Sequence, residues 1–305
     1  MSDYHIQSTQ ITQFAVHLQE DERSSGTIEN YLRHVRAFSA WAGERPVTKE
    51  LTAAWKEALV SHGYCAGTVN TMVVSLNRFF EFLGWKECQV KTLRVQRRMF
   101  REDSRELTRA EYTRLLDAAR AMGRDRLVLL METICATGIR VSEVKYITVE
   151  ALRRGKAEIS LKGKIRTILL PGKLCRKLLK YCKKQKTVSG QVFLTRNGTG
   201  LSRKQIWAEM KSVCARAKVA ASKVFPHNLR HLFARDFYKA CQDVAKLADV
   251  LGHSSTETTR IYLISTGAEH THTLDRLQLI QQGKIHKLSK IHKKKAPFHP
   301  RFCVY

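Results

Sequence analysis

Apolar residues recur with a helical period along almost the whole chain and with a period of two in one short stretch. That stretch runs from residue 157 to residue 169, on both sides of a Lys162-Gly163-Lys164 tip. The alternating residues are Ala157, Ile159 and Leu161 before the tip and Ile165, Thr167 and Leu169 after it. A period of two predicts a β-hairpin, whereas spacings of three and four predict helices with one apolar face. The sequence therefore predicts a mainly α-helical protein of the α+β class, with one small hairpin.

Residues 1–90 predict a compact bundle of four short helices. The clearest helix begins at Thr27 and ends at Gly43, with apolar residues at i, i+3, i+4 and i+7. Its apolar face consists of Ile28, Tyr31, Leu32, Val35, Phe38 and Trp41. Similar spacing recurs in residues 11–18, 51–59 and 69–83. Short helices with brief connections pack as a bundle.

A second domain is predicted for residues 107–283, because 305 residues suffice for two cores. Its first helix follows Thr108, which forms a capping-box pattern with Glu111. Residues 91–106, rich in arginine, predict an extended basic linker lying along phosphates. A charged linker that touches only solvent is the alternative. Residues 284–305 hold seven lysines and arginines and no acid, and we expect this tail to be disordered in isolation.

The net charge points to a polyanionic partner. The chain has 54 basic and 27 acidic residues, a formal charge of +27. Such a field favours nucleic acid or an anionic lipid surface, although a merely basic soluble protein remains an alternative. No apolar stretch reaches the roughly 18 residues of a membrane span, and the N-terminus lacks signal-peptide features, so we expect a cytoplasmic protein. Eight scattered cysteines without a CxxC pair predict reduced core thiols.

Arginines, histidines and a tyrosine form a candidate phosphodiester site. His227 and Arg230 lie three residues apart on one predicted helix, followed by His253 and Tyr262. Together with Arg140, in a turn upstream, Arg230 would clamp two phosphate oxygens. Tyr262 would be the nucleophile, and because a phenol has a pKa near 10, His227 or His253 would take its proton. Lys162 would protonate the leaving 5′ oxygen, although Lys164 is close enough to occupy the hairpin tip instead.

Each of these residues also has a structural interpretation. Arg140 could be an ordinary surface arginine, His227 a helix-start histidine, and Tyr262 a core tyrosine. His227 and His231, four residues apart, have the spacing of a zinc pair. The HNLRH run lacks the glutamate of a metalloprotease, however, and Arg230 would repel a cation. The order and spacing of the whole set favour the phosphodiester site.

Four segments resemble the characteristic boxes of the tyrosine recombinases, the phage, transposon and Xer-like integrases of bacteria. They are GIRVSEV, LKGK, HNLRH and LGHSSTETTRIY, and the upstream TIENYLRHVRAFSAW is similar to that family's core-binding domain. The resemblance implies a SAM-like core-binding bundle followed by a tyrosine-recombinase catalytic domain. It implies the catalytic residues Arg140, Lys162, His227, Arg230, His253 and the nucleophile Tyr262. The implied reaction passes through a 3′-phosphotyrosine and a free 5′-hydroxyl, with no metal or nucleotide cofactor.

The resemblance also implies partners and a role. Double-stranded DNA would be held in a C-shaped clamp, and a helix over residues 268–282 would dock on a neighbouring protomer in a homotetramer on two DNA sites. The alternative is that this helix packs on its own core. We expect a nucleoid-associated integrase of a mobile element, with an accessory directionality factor as a further partner. A Xer-like chromosome-dimer resolvase, a type IB topoisomerase and a catalytically silent DNA-binding regulator are the alternatives.

Overall fold

A computed structural model describes residues 4–95, 106–161, 164–253, 255–260, 262 and 276–277. The chain divides into two units, Met1–Arg98 and Met99–Tyr305. Most of the predicted linker, the whole basic tail and nearly all of residues 268–282 lie outside the described residues, as does Lys162. The predictions about those segments therefore stay predictions.

The first unit consists of the four predicted helices. They are α1 (Ser8–Glu20), α2 (Ser25–Ala42), α3 (Lys49–Ser61) and α4 (Ala66–Leu83), followed by a 3-10 turn at Lys86–Cys88. Phe14, Phe38, Phe79 and Phe80 are fully buried among them. Their rings meet at centroid distances of 5.1 to 6.3 Å, which suits tilted and edge-to-face packing. The aromatic residues of the helical faces thus form the core of this unit.

In the part of the second unit that the structure describes, helices predominate and the two named strands form one hairpin. Its helices are α5 (Arg109–Ala121), α6 (Asp125–Thr137), α7 (Val149–Arg154), α8 (Gly172–Lys184), α9 (Arg203–Lys211), α10 (Cys214–Ala217), α11 (Pro226–Cys241), α12 (Val244–Leu251) and α13 (Thr256–Arg260). A 3-10 turn spans Val141–Tyr146, and β1 (Lys156–Leu161) pairs antiparallel with β2 (Lys164–Leu169). The capping box predicted at the start of α5 is present, because Thr108 and Glu111 exchange two hydrogen bonds of 2.8 and 3.1 Å. The α+β class is confirmed.

Helix α6 is the central element of the second unit, as its apolar sequence predicts. Leu127, Leu130, Met131 and Ile134 are fully buried, and α6 packs against α5, α8 and α11. Gly138 ends the helix with φ +63°, and a Cβ there would lie 2.4 Å from a ring carbon of Phe233 on α11. Only glycine permits this close approach. It brings the turn that carries Arg140 against the middle of α11.

The apolar alternation of β2 predicts that Ile165, Thr167 and Leu169 face the core. In the structure the opposite face of β2 is turned inward. Ile168 is buried, whereas Leu169 is 74% exposed. In the register, Ala157 pairs with Ile168 and Ile159 pairs with Arg166, so these four residues share the inner face. An arginine therefore occupies an inward position, and the apolar alternation of β2 is a misleading guide there.

One predicted helix is split in two. The pattern from Ser202 to Lys218 predicts a continuous helix, but the structure has α9 and α10 with a break at residues 212–213. The Ser212 hydroxyl donates to the Glu209 carbonyl at 2.7 Å and so competes with the backbone hydrogen bonds of a continuing helix. The local polar side chain overrides the apolar spacing.

The cysteines and the helices bear on two further expectations. Cys88, Cys175, Cys182 and Cys214 are buried, and the seven cysteines that the structure describes are free thiols. Cys65, by contrast, is exposed.

Among the described residues, no helix is both long and apolar enough to cross a lipid bilayer.

Candidate active site

Five of the six predicted site residues lie together. Arg140 comes from the turn after α6, His227 and Arg230 from the first turns of α11, His253 from the segment after α12, and Tyr262 from the turn after α13. The sixth residue, Lys162, lies outside the described residues, and its place at the hairpin tip stays a prediction.

Arg230 is the centre of the site and is only 1% exposed. Its guanidinium donates to the Gly138 carbonyl at the end of α6, to the Leu251 carbonyl at 2.8 Å, and to Nε2 of His253 at 2.9 Å. Burial lowers the pKa of Arg230, as does the charge of Arg140, whereas contact with Tyr262 raises it. Arginine stays protonated near neutral pH even so. The C-termini of α6 and α12, which carry partial negative charge, thus both accept hydrogen bonds from the buried guanidinium of Arg230.

The contact with Arg230 fixes the protonation state of His253. A guanidinium only donates, so Nε2 of His253 must accept, and the proton is on Nδ1. Nδ1 in turn donates to the Thr259 hydroxyl at 2.8 Å. Burial, then the charges of Arg230 and Arg140, lowers the pKa of His253 to about 4. His253 is therefore neutral near pH 7, with both ring nitrogens hydrogen-bonded.

His227 is also neutral near pH 7. Burial lowers its pKa first, followed by repulsion from Arg230 and Arg140. Its ring lies edge-on to that of His231, with centroids 4.4 Å apart. The described residues contain no group of three or more His, Cys, Asp or Glu side chains placed to hold a metal ion.

Arg140 is the accessible cation of the site, with 42% of its side chain exposed. It donates from Nη1 to Glu143 at 2.9 Å and from Nη2 to the Gly252 carbonyl at 3.4 Å. Its backbone N–H donates to the other Glu143 oxygen at 2.7 Å. Both outer nitrogens of the guanidinium therefore have a partner, while the side chain stays partly exposed to an incoming anion.

Tyr262 is packed among the histidines. It is 4% exposed, its ring is edge-on to His231 at 4.7 Å, and it lies parallel to His253 at 5.8 Å. The His227 ring is 6.4 Å away. Tyr262 also joins a small apolar cluster with Ala234, Leu247 and Leu251. Tyr262 is therefore a buried tyrosine, as its structural interpretation predicts, and it lies against the histidines of the site, while its role as nucleophile stays a prediction.

Two charged residues of the site were missed from the sequence. Glu143 lies inside the GIRVSEV segment, three residues after Arg140, and is 2% exposed. Arg166 donates to both oxygens of Glu143, at 3.1 and 3.3 Å, and its side chain is 12% exposed. The three-residue spacing between Arg140 and Glu143 could have identified Glu143 from the sequence. Arg166 could be identified only once the strand pairing had shown that its side chain is on the inner face of the hairpin.

The site as a whole has an excess of positive charge. Arg140 and Arg166 pair with the carboxylate of Glu143, Arg230 lies nearby, and the two histidines with lowered pKa values contribute no charge near neutral pH. Buried donors and a net charge of this sign suit a phosphate diester. The phenol of Tyr262, whose ring lies 5.8 Å from that of His253, is in the same pocket and is of the chemical class that can act as a nucleophile.

Comparison with known proteins agrees with this geometry. The phage integrase family model matches residues 105–269, and the N-terminal SAM-like domain of phage integrases matches residues 11–87. Tyrosine recombinase XerA of Pyrococcus furiosus is 27% identical over 289 residues, covering 92% of this chain and 98% of the relative.

Two solved structures share the fold. A lambda integrase dimer bound to a COC′ core site aligns with a TM-score of 0.67 at 18% identity, over 84% of this chain and 94% of that one. The Tn1549 transposon integrase in complex with circular intermediate DNA aligns with a TM-score of 0.66 at 16% identity, over 88% of this chain and 99% of that one. With a family model matching more than half of its residues, the chain belongs to the phage integrase family and is a tyrosine recombinase, an enzyme that cleaves and rejoins DNA strands.

Proposed function

We propose that this protein cleaves duplex DNA at a specific site by attack of the Tyr262 hydroxyl on a phosphodiester. The oxygen–phosphorus bond of a 3′-phosphotyrosine forms as the bond to the 5′ oxygen breaks. A free 5′-hydroxyl, from the same or a partner strand, reverses the step. The observation that carries the proposal is the packing of buried Tyr262 against His253, whose Nε2 accepts a hydrogen bond from buried Arg230, beside partly exposed Arg140.

The two arginines would stabilise the transition state. Arg140 and Arg230 would donate to the non-bridging oxygens, where negative charge increases as phosphorus becomes five-coordinate. Both guanidiniums are already fixed by carbonyls and a carboxylate, so they need little reorganisation at the moment of reaction. The arrangement supports direct electrostatic stabilisation by side chains of the chain itself.

The histidines and the hairpin lysine would handle the protons. Both nitrogens of His253 have partners, so we assign the base that takes the Tyr262 proton to His227, which is uncharged near pH 7. His253 would then orient Arg230 through the hydrogen bond that joins them. Lys162 would give a proton to the leaving 5′ oxygen.

The role that we propose for the whole protein is based on its similarity to the relatives. Residues 1–90 would form the core-binding clamp and residues 107–283 the catalytic domain, joined by the basic linker 91–106, with the basic tail 284–305 adding phosphate contacts. Integration or excision of a mobile element is the role that we propose, with a Xer-like resolvase as the alternative because a XerA protein is among the relatives. A homotetramer on two sites, an accessory directionality factor and an association with the nucleoid are parts of the same proposal.

The test captures the covalent intermediate and identifies the cleaved sequence in one experiment. Tagged protein is incubated with randomised duplexes nicked near the centre, so that the short 5′-hydroxyl fragment diffuses away and religation fails. Adducts that survive detergent are recovered and sequenced. Wild-type protein should enrich one sequence, and Tyr262→Phe should give no adduct while binding DNA as before.

Tyr238→Phe is the matched control, because Tyr238 packs against the same apolar cluster as Tyr262. It should form the adduct at the wild-type rate. An adduct in Tyr262→Phe would refute the assignment of the nucleophile. A plasmid with two copies of the enriched site then separates the functions: recombinants support a recombinase, whereas relaxation without recombinants supports topoisomerase activity.

A further inference from the structure

The C-terminus of α12 collects three arginines on three successive carbonyls. Arg166 donates to the Val250 carbonyl at 2.7 Å, Arg230 to that of Leu251 at 2.8 Å, and Arg140 to that of Gly252 at 3.4 Å. The last carbonyls of a helix have no partner within the helix. Here they and the negative end of the helix dipole hold guanidiniums. Two of the three arginines are the proposed phosphate ligands, and the third has no role in the mechanism above.

Arg166 is expensive to bury where it lies. Burial lowers its pKa to about 10; Glu143 opposes this shift, while the charges of Arg230 and Arg140 add to it. Among the described residues, its Nε is buried without a hydrogen-bond partner. A buried cation beside two others is a poor device for stability, since apolar side chains of similar volume often serve as well or better. The presence of a buried arginine at this place is better explained by a neighbouring side chain or turn that the arginine orients.

Glu143 connects Arg166 to Arg140. Its Oε1 accepts from Nη1 of Arg140 at 2.9 Å and from Nη1 of Arg166 at 3.1 Å. Its Oε2 accepts from the Arg140 backbone N–H at 2.7 Å and from Arg166 at 3.3 Å. The carboxylate is therefore fixed between the two arginines. Without Arg166 it would keep a single partner residue, and the half-exposed Arg140 would lose its rigid support.

Arg166 also fixes the turn that carries His253. Gly252 has φ +62°, and a Cβ there would lie 2.2 Å from Cδ of Arg166. The arginine thus lies directly on the glycine backbone, one residue before His253. Its hydrogen bond to the Val250 carbonyl holds the same turn at a second point.

We propose that Arg166 is a positioning residue for DNA cleavage, which orients Arg140 through Glu143 and holds the Val250–Gly252 turn. It touches neither the phosphate nor the nucleophile in this scheme. The proposal rests on cleavage by Tyr262 as proposed above, and it adds a residue that the mechanism does not otherwise use.

The test measures single-turnover adduct formation on the enriched nicked duplex at saturating DNA. Arg166→Met keeps the length of the side chain and removes its charge and donors. The rate should fall on the order of 100-fold, as for a displaced catalytic group, with DNA affinity unchanged. Arg166→Lys should recover part of the loss, because one ammonium cannot serve Glu143 and Val250 as a fork does.

A double-mutant cycle separates positioning from a general structural effect. In an Arg140→Ala background, Arg166→Met should lower the rate several times less than in the wild-type background, because Arg140 is absent and only the Val250–Gly252 turn remains to be held. Arg126→Met is the matched control: Arg126 also joins a carboxylate, Glu209, to a backbone carbonyl in the second unit. It should leave the cleavage rate at the wild-type value.

Equal losses from Arg166→Met in both backgrounds, or no loss in either, would overturn the proposal. If Arg166→Met lacks a cooperative unfolding transition, Arg166→Lys and Glu143→Gln take its place in the same cycle, with the same expected non-additivity. Absence of any Tyr262-dependent adduct from wild-type protein would refute the proposed function instead, so the two failures are distinguishable.

Discussion

Gly252→Ala tests the close packing beneath the site. Gly252 follows the last residue of α12 with φ +62°, and a Cβ would lie 2.2, 2.5 and 3.0 Å from Cδ, Nε and Cζ of Arg166. Gly155, which follows α7 with φ +70°, has nothing within 4 Å of a Cβ. Gly155→Ala therefore introduces the same backbone strain without the steric conflict.

The expected magnitudes follow from these contacts. A left-handed conformation costs alanine about 1–2 kcal/mol at either position. At Gly252, Arg166 must also move by more than about 1 Å to reach ordinary van der Waals separation, which breaks its 2.7 Å bond to Val250. Losing a hydrogen bond to a charged group costs about 1.5–3 kcal/mol. We expect Gly252→Ala to lower the free energy of unfolding by about 2.5–5 kcal/mol in total, against about 1–2 kcal/mol for Gly155→Ala.

The assay is urea unfolding followed by circular dichroism, with separate transitions fitted for the two units where they resolve. The same variants are measured for adduct formation: Gly252→Ala should lose most of its cleavage rate, and Gly155→Ala should keep it. In an Arg166→Ala background, Gly252→Ala should cost only the backbone strain. Equal destabilisation by the two glycine variants, or a full penalty without Arg166, would refute this reasoning.

Two further predictions concern protons. Because the pKa of His253 is about 4 in the folded state and about 6.5 when unfolded, the unfolded state binds more protons between these values, and the contribution of His253 to stability is present above pH 6.5 and lost as pH falls to about 4. In urea titrations from pH 7 to 4, the free energy of unfolding of His253→Asn should therefore fall less steeply with pH than that of wild type. Parallel slopes of the free energy of unfolding against pH would contradict the argument. A duplex with sulfur in place of the 5′ bridging oxygen has a leaving group that needs no acid, so it should restore adduct formation to Lys162→Ala but not to Arg140→Ala. Equal rescue of both variants, or rescue of neither, would show that Lys162 is not the general acid.

Local sequence patterns predicted most of the helices, because an apolar face and its caps are encoded within a few residues. The capping box at Thr108 and the helix end at Gly43 are examples. The failures came where a local signal competed with another. The Ser212 hydroxyl broke a helix that the apolar spacing continued, and Leu169 followed the alternation of β2 while pointing outward.

The sequence by itself determined the helical class, the single hairpin and the order of arginines, histidines and tyrosine from which a phosphodiester site was inferred. Only the tertiary structure decided how these residues support one another. Arg166 meets Glu143 across 23 residues and Val250 across 84, and Arg140 meets Gly252 across 112. Hydrogen-bond partners so far apart in the chain are set by the packing of α6, α11, α12 and the hairpin, and that packing also makes Tyr262 both a core residue and a neighbour of Arg230.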